Sequence, residues 1–180
     1  MFKRLKISII ATMLLVATAS LSASGSAFRK GSLMVGPAAG LSSGIGSSGV
    51  VLIGNLEYAI TDHIGLGVSA GYWSYSEDAS VGTVQIKSKY TVLPIAATGA
   101  YHFHISSNWD LGAGVALGYY VVSSSVESNV SGVSYTASGS SGLAIGIFGL
   151  ARYYVSDSIG LRAKLGYGIS LVEVGVDFRF

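Results

Sequence analysis

Ile159-Gly160-Leu161-Arg162-Ala163-Lys164-Leu165-Gly166-Tyr167 and Leu171-Val172-Glu173-Val174-Gly175-Val176-Asp177-Phe178-Arg179-Phe180 alternate in character from one position to the next. Ile159, Leu161, Ala163, Leu165 and Tyr167 share one face, against Gly160, Arg162, Lys164 and Gly166. In the second run Val172, Val174, Val176, Phe178 and Phe180 oppose Glu173, Gly175, Asp177 and Arg179. A period of two marks a β-strand, whose successive side chains point to opposite faces. One face is wholly apolar and the other holds the charges. A soluble sheet can show this with its charged face in water, so the rest of the chain must decide between water and lipid.

Six further segments read the same way. They run over Ser32–Ser42, Val50–Ile60, Ile64–Tyr75, Tyr90–Phe103, Trp109–Val122 and Leu143–Val155. Ile64, Leu66, Val68, Ala70 and Tyr72 oppose Gly65, Gly67, Ser69, Gly71 and Trp73. Trp109, Leu111, Val115, Leu117 and Tyr119 oppose Asp110, Gly112, Gly114, Ala116 and Gly118. In the Tyr90–Phe103 segment the faces are less distinct, with Leu93, Ile95, Tyr101 and Phe103 read as outward. Small or polar residues opposite apolar ones on almost every segment fit lipid outside and a filled polar interior. Each segment is about the ~9–11 residues of a tilted membrane strand.

Composition points the same way. Half of the 180 residues are apolar and 11% are charged, against ~25% charged in ordinary soluble domains. The mean hydropathy is +0.56, yet beyond the N-terminus no apolar run approaches the ~20 residues of a spanning helix. A closed barrel is the other spanning structure, because hydrocarbon leaves no open backbone group satisfied. The chain has no cysteine, so disulfides, thiolate metal sites and cysteine nucleophiles are excluded.

Lys3, Arg4 and Lys6, an apolar stretch from Ile7 to Ala17 and small residues from Ala19 to Ala27 have the layout of a secretory signal peptide. The expected organisation is a leader over 1–27, cut after Ala27 or Ala19 with Ala27 preferred, and a barrel over 28–180. Losing the three leader cations leaves eight basic residues against nine acidic, a net of −1 that offers nothing to nucleic acid.

The connections alternate in length. Thr61–His63, His104–Asn108 and Ser156–Ser158 are short, whereas Glu77–Ser88 and Ser123–Gly142 read as long Ser-rich loops. Outer-membrane barrels have short periplasmic turns and longer outer loops. The connection near Gly168-Ile169-Ser170 is short for an outer one. Tyr58 through Leu66 is echoed by Tyr153 through Leu161 and, more loosely, by Tyr101 through Leu111. These copies would place Tyr58, Tyr101 and Tyr153 in an aromatic girdle.

The final run, apolar at alternate positions and ending on Phe180, resembles the terminal signal read by the outer-membrane barrel-assembly machinery. The chain as a whole resembles the small barrels of the OmpA/OmpX and opacity-protein type. That resemblance implies an all-β, eight-stranded antiparallel up-and-down transmembrane barrel in the bacterial outer membrane. It implies contact with outer-membrane lipids and lipopolysaccharide, and a chain that ends with the barrel. It brings no catalytic, cofactor or metal residue.

Three constellations invite chemistry. Gly44-Ile45-Gly46-Ser47-Ser48-Gly49 matches G-x-G-x-x-G, but the dinucleotide motif needs a helix after it, and Val50-Val51-Leu52-Ile53 reads as a strand. His104-Ile105-Ser106-Ser107-Asn108 resembles the His-x-Ser-Asn run of outer-membrane lipid A deacylases. It falls at a periplasmic turn with no acid well placed beside it, and reads as a polar turn. Glu57, Arg152, Arg162, Lys164, Glu173, Asp177 and Arg179 face inward. Eight strands leave room only for side chains, so a salt-bridged plug is favoured over a pore. His63 and His102 read as isolated. The leading expectation is a non-enzymatic scaffold presenting outer loops, its extracellular partner unread. The alternatives are a lipid-modifying enzyme and a narrow channel or carrier for small molecules.

Overall fold

The computed structural model describes residues 27–42, 49–81, 84–128 and 134–180. The strands are β1 (Leu33–Ser42), β2 (Val50–Ala59), β3 (Ile64–Val81), β4 (Val84–His104), β5 (Trp109–Ser128), β6 (Ser134–Tyr154), β7 (Ile159–Tyr167) and β8 (Ser170–Arg179). Each pairs antiparallel with its neighbour in sequence, and β1 pairs antiparallel with β8, closing an eight-stranded barrel. The seam runs to the last residue, with Leu33 N–H donating to the Phe180 carbonyl (3.0 Å) and Phe180 N–H to the Leu33 carbonyl (2.9 Å). An even strand count sets both termini at one end. Among the described residues no helix is long and apolar enough to cross a membrane. The residues expected to form the leader lie, up to Ser26, outside the described residues.

The alternation read from the sequence is the alternation of the wall. Leu52, Leu66, Val115, Ile147 and Leu165 are exposed on the outside. An apolar surface wrapped right around a closed barrel is a lipid-facing surface. Tyr58, Tyr101, Phe103 and Tyr153 ring the end that carries the termini, with Trp109 packed against Tyr153 at 5.0 Å. Tyr72, Tyr119 and Tyr167 stand outward nearer the opposite end. Such rings suit the two interfaces, joining an apolar body to a polar edge.

The stretches expected as long loops are largely strand. Pairing of β2 with β3 reaches Leu52–Tyr72, and pairing of β6 with β7 reaches Ile147–Tyr167. Beyond those rungs β3, β4, β5 and β6 continue together as a raised four-stranded sheet. Serine hides this continuation because it weakens the contrast between faces. The register, once fixed in the wall, carries the backbone bonds onward, helped by Asp78 lying opposite Lys87. A register shift between Val121 and Ser123 marks where β5 leaves the wall, as a bulge that bends a strand does.

The lumen is also not polar throughout, as the sequence led us to expect. Its half toward the raised sheet is filled by Val51, Ile53, Trp73, Val92, Ala96 and Ile169, with Tyr75, Tyr120 and Val122 packed against them. Runs such as Val50-Val51-Leu52-Ile53 are apolar on both faces, so period-two contrast cannot mark their inner members. Ile169 enters the lumen because Gly168, at φ +125°, folds the short β7–β8 turn inward.

Close packing at the seam gives a paired test. A side chain at Gly36 of β1 would strike the Val176 carbonyl and lie 2.6 Å from the Asp177 carboxylate, while one at Gly54 meets nothing within 4 Å. Gly36→Val should therefore cost about 1–3 kcal/mol of unfolding free energy, read by urea titration in phospholipid vesicles. Gly54→Val should leave the midpoint where it was.

Candidate functional site

The half of the lumen nearer the termini holds an ionic network. Arg152 of β6 is its hub. Its Nη2 donates to Glu57 (2.8 Å), its Nη1 to Asp110 (2.5 Å) and its Nε to Asp177 (2.6 Å). Arg162 of β7 lies directly opposite Arg152 in the register. Two like charges facing each other repel, and Asp177 of β8 resolves this by giving one oxygen to each guanidinium. Glu173 then pairs with Arg162 (3.1 Å) and Lys164 (3.0 Å), and accepts from Asn55 Nδ2 (3.0 Å) and Ser170 Oγ (3.2 Å).

Of the seven inward charges read from the sequence, six share this network. Arg179 stands apart at the mouth. Its guanidinium lies 4.0 Å from the Tyr154 ring centre and donates to the carbonyls of Asp157 (2.7 Å) and Ala27 (2.6 Å).

His102 is not isolated, which corrects the reading from sequence. It is fully buried, with Nδ1 2.7 Å from Asp110 and Nε2 3.0 Å from Glu57. Both ring nitrogens face carboxylate oxygens, so a proton on each satisfies both contacts. The sequence placed Asp110 on the inner face of its segment but gave no sign that it belonged with Glu57, because 52 intervening positions separate strands that only the closed register brings together. Gly65 makes room for this group: a Cβ there would lie 2.5 Å from Glu57 Oε1. His63 Nδ1 contacts the His102 carbonyl at 3.1 Å.

The mouth beside the network is filled by the chain itself. Phe28 is buried and stacks on His102, ring centres 3.6 Å apart and planes 3° apart. Ala27 is buried too, its N–H donating to the Ser106 carbonyl at 3.1 Å. Cavities of about 30 Å³ and 20 Å³ remain among the inward polar residues, space for a water each. Larger grooves lie outside. One of about 750 Å³ runs over Trp109, Leu111, Gly149, Ala151 and Leu165, where small outward side chains dent a wall that hydrocarbon covers.

The other two constellations fall away from this site. In the run 104–108, Ser106 Oγ accepts from the backbone N–H groups of Asn108 (3.3 Å) and Trp109 (3.0 Å), and Asn108 Nδ2 donates to the Tyr154 carbonyl (3.2 Å). These are turn contacts at the end that carries the termini. The glycine motif lies outside the described residues apart from Gly49, and the chain that follows is β2, not a helix.

The closed wall, apolar belt and charged lumen define a transmembrane β-barrel of the small outer-membrane type. No family model matches the chain, and no curated protein does. Solved structures do. The outer membrane protein OprG of Pseudomonas aeruginosa superposes with a TM-score of 0.63 at 11% identity, over 85% of this chain and 97% of that one. Ail, the attachment invasion locus protein of Yersinia pestis, in complex with the heparin analogue sucrose octasulfate, gives 0.55 at 15% identity, over 84% and 100%. Neisserial surface protein A gives 0.54 at 18%, over 82% and 94%. At these identities the likeness is one of fold.

Arg152 gives the network's test. Arg152→Ala leaves Glu57, Asp110 and Asp177 without their shared cation and should cost about 3–5 kcal/mol. Arg152→Lys, which keeps the charge but not the fork, should lose less. Unfolding midpoints in vesicles that match the parent for both would show the network to be energetically idle.

Proposed function

We propose that this chain is a sealed scaffold in the bacterial outer membrane that holds the raised sheet of β3–β6 outside the cell. The observation that carries the reading is a lumen filled from both directions beneath a sheet that continues past the wall. A barrel built to conduct would keep its axis clear. Here Phe28, the ionic network and the apolar cluster follow one another along it. In this reading the end with the termini and short turns faces the periplasm. Phospholipid and lipopolysaccharide surround the belt, and the assembly machinery reads the last strand, whose Phe180 is 77% exposed.

The raised sheet offers two open edges. Among the described residues, β3 from Trp73 to Val81 pairs only with β4, and β6 from Ser134 to Gly146 pairs only with β5. Unpaired N–H and C=O groups along an edge accept an added strand, so an extended segment of another protein is the partner these edges suit. A sulfated glycan, the ligand class seen on Ail, suits them less. Lys87 and Lys89 lie on β4, but Asp78 stands opposite Lys87, and no concentrated positive patch forms among the described residues. A lipid-modifying enzyme is disfavoured because the run 104–108 serves a turn on the periplasmic side. A carrier is disfavoured by the filled lumen.

For the export leader we favour the cut after Ala19 over the cut after Ala27 that the sequence alone preferred. Cleavage after Ala19 would keep Ala27, whose carbonyl holds Arg179; cleavage after Ala27 would remove that carbonyl. The intact mass of protein extracted from outer membranes separates the two, and a chain starting at Ser20 is the expected result.

Orientation and display are measurable together. With no native cysteine, Ser76→Cys should react with an impermeant maleimide on intact cells, and Ser156→Cys only after the outer membrane is opened. Random peptides selected on the barrel in nanodiscs, and counter-selected on a barrel with both hairpins shortened, should alternate β-branched or aromatic residues with polar ones. Failure to enrich any such peptide, or steady large conductance in planar bilayers, would overturn the scaffold reading.

A further inference from the structure

The inner, concave face of the raised sheet carries an aromatic group that continues the lumen's apolar cluster outward. Tyr75 of β3 and Tyr90 of β4 are cross-strand partners on that face and stack with ring centres 4.9 Å apart. Both are partly exposed, as is Tyr120 of β5, which packs on the apolar floor below them. In that floor Trp73 is 2% exposed, and its indole Nε1 has no hydrogen-bond partner among the described residues. A buried N–H left unpaired costs about 1–3 kcal/mol, so its retention asks for a reason. Its direction is informative. The neighbouring ring carbon, Cδ1, lies 3.7 Å from where a Cβ on Gly49 would sit. The N–H edge of the indole is therefore turned toward the start of β2, the end of the lumen from which the raised sheet rises.

We infer that this concave face binds a neutral sugar unit of a cell-surface polysaccharide. The inference rests on the raised sheet being the presented element. A pyranose has one face of C–H groups, weakly positive, that lies well against the negative face of an aromatic ring. Its rim of hydroxyls both donates and accepts. Tyr75, Tyr90 and Tyr120 supply the ring faces, Trp73 Nε1–H a donor, and Glu77, opposite Ser88 two positions above Tyr75, an acceptor. A few polar groups around an aromatic surface is the usual make-up of a small-ligand site. The charge disfavours an anionic sugar: Glu77 is the charged residue on this face among the described residues, while Lys87 and Lys89 fall on the outward positions of β4. An apolar molecule would leave Trp73 Nε1–H unpaired and would cover the Glu77 carboxylate without offering it a donor.

Trp73 reports on its own site. The chain has two tryptophans, so Trp109→Phe leaves Trp73 as the single indole fluorophore of the full barrel in nanodiscs. Titration with maltotriose and with N,N′-diacetylchitobiose should change its emission saturably. Tyr90→Ala should weaken that response roughly 3–10-fold, whereas Tyr119→Ala, on the outer face, should not. No saturable response to either sugar would overturn the inference, as would a response confined to sucrose octasulfate or to the apolar probe 1-naphthol. Nanodiscs carrying lipopolysaccharide of full or truncated polysaccharide length then locate the source. Competition by the full-length form assigns the sugar to the protein's own membrane, and its absence to another surface. The peptide selection reads the sheet edges and this titration the concave face, so one can fail without the other.

Discussion

Hydrocarbon cannot form hydrogen bonds, and that single deficiency shapes the whole molecule. Every N–H and C=O within the belt must be answered by a neighbouring strand, which forces β1 and β8 to meet although they lie at opposite ends of the sequence. Closure with eight strands in turn fixes a narrow interior, one that side chains alone can fill. What goes inside is then constrained twice over. Volume must be filled, and any charge placed there must find its opposite.

The protein meets these demands in two different ways along one axis. Near the termini it uses ion pairs, with Asp177 serving two guanidiniums and Arg152 serving three carboxylates. Toward the raised sheet it uses ordinary apolar packing around Trp73. The first arrangement is intolerant of single losses, since each carboxylate serves more than one partner. The second tolerates change in the way hydrophobic cores do, provided volume is kept. The wall itself is uneven in height, with β3–β6 continuing past the membrane and β1, β2, β7 and β8 stopping near it.

Much of this was legible in the residues. The strict alternation from Ile159 to Phe180 identified strand, membrane and inward face together, because charged and greasy residues cannot exchange places there. Six of the seven inward charges joined one network for the same reason. Legibility failed where contrast failed. Ser123 to Gly142 read as loop since serine marks neither face, yet most of it is strand. Val51 and Ile53 were silent because their outward neighbours are equally apolar. His102 looked solitary because its partners come from β2 and β5, and sequence distance says nothing about which strands will stand side by side.

The position of Asp177 has a consequence for the order of assembly. It lies on the last strand, so while β8 is absent Arg152 and Arg162 confront each other across β6 and β7 with their common counter-ion missing. Docking of β8 therefore does two things at once: it closes the wall's backbone bonds and completes the charge balance between these two guanidiniums.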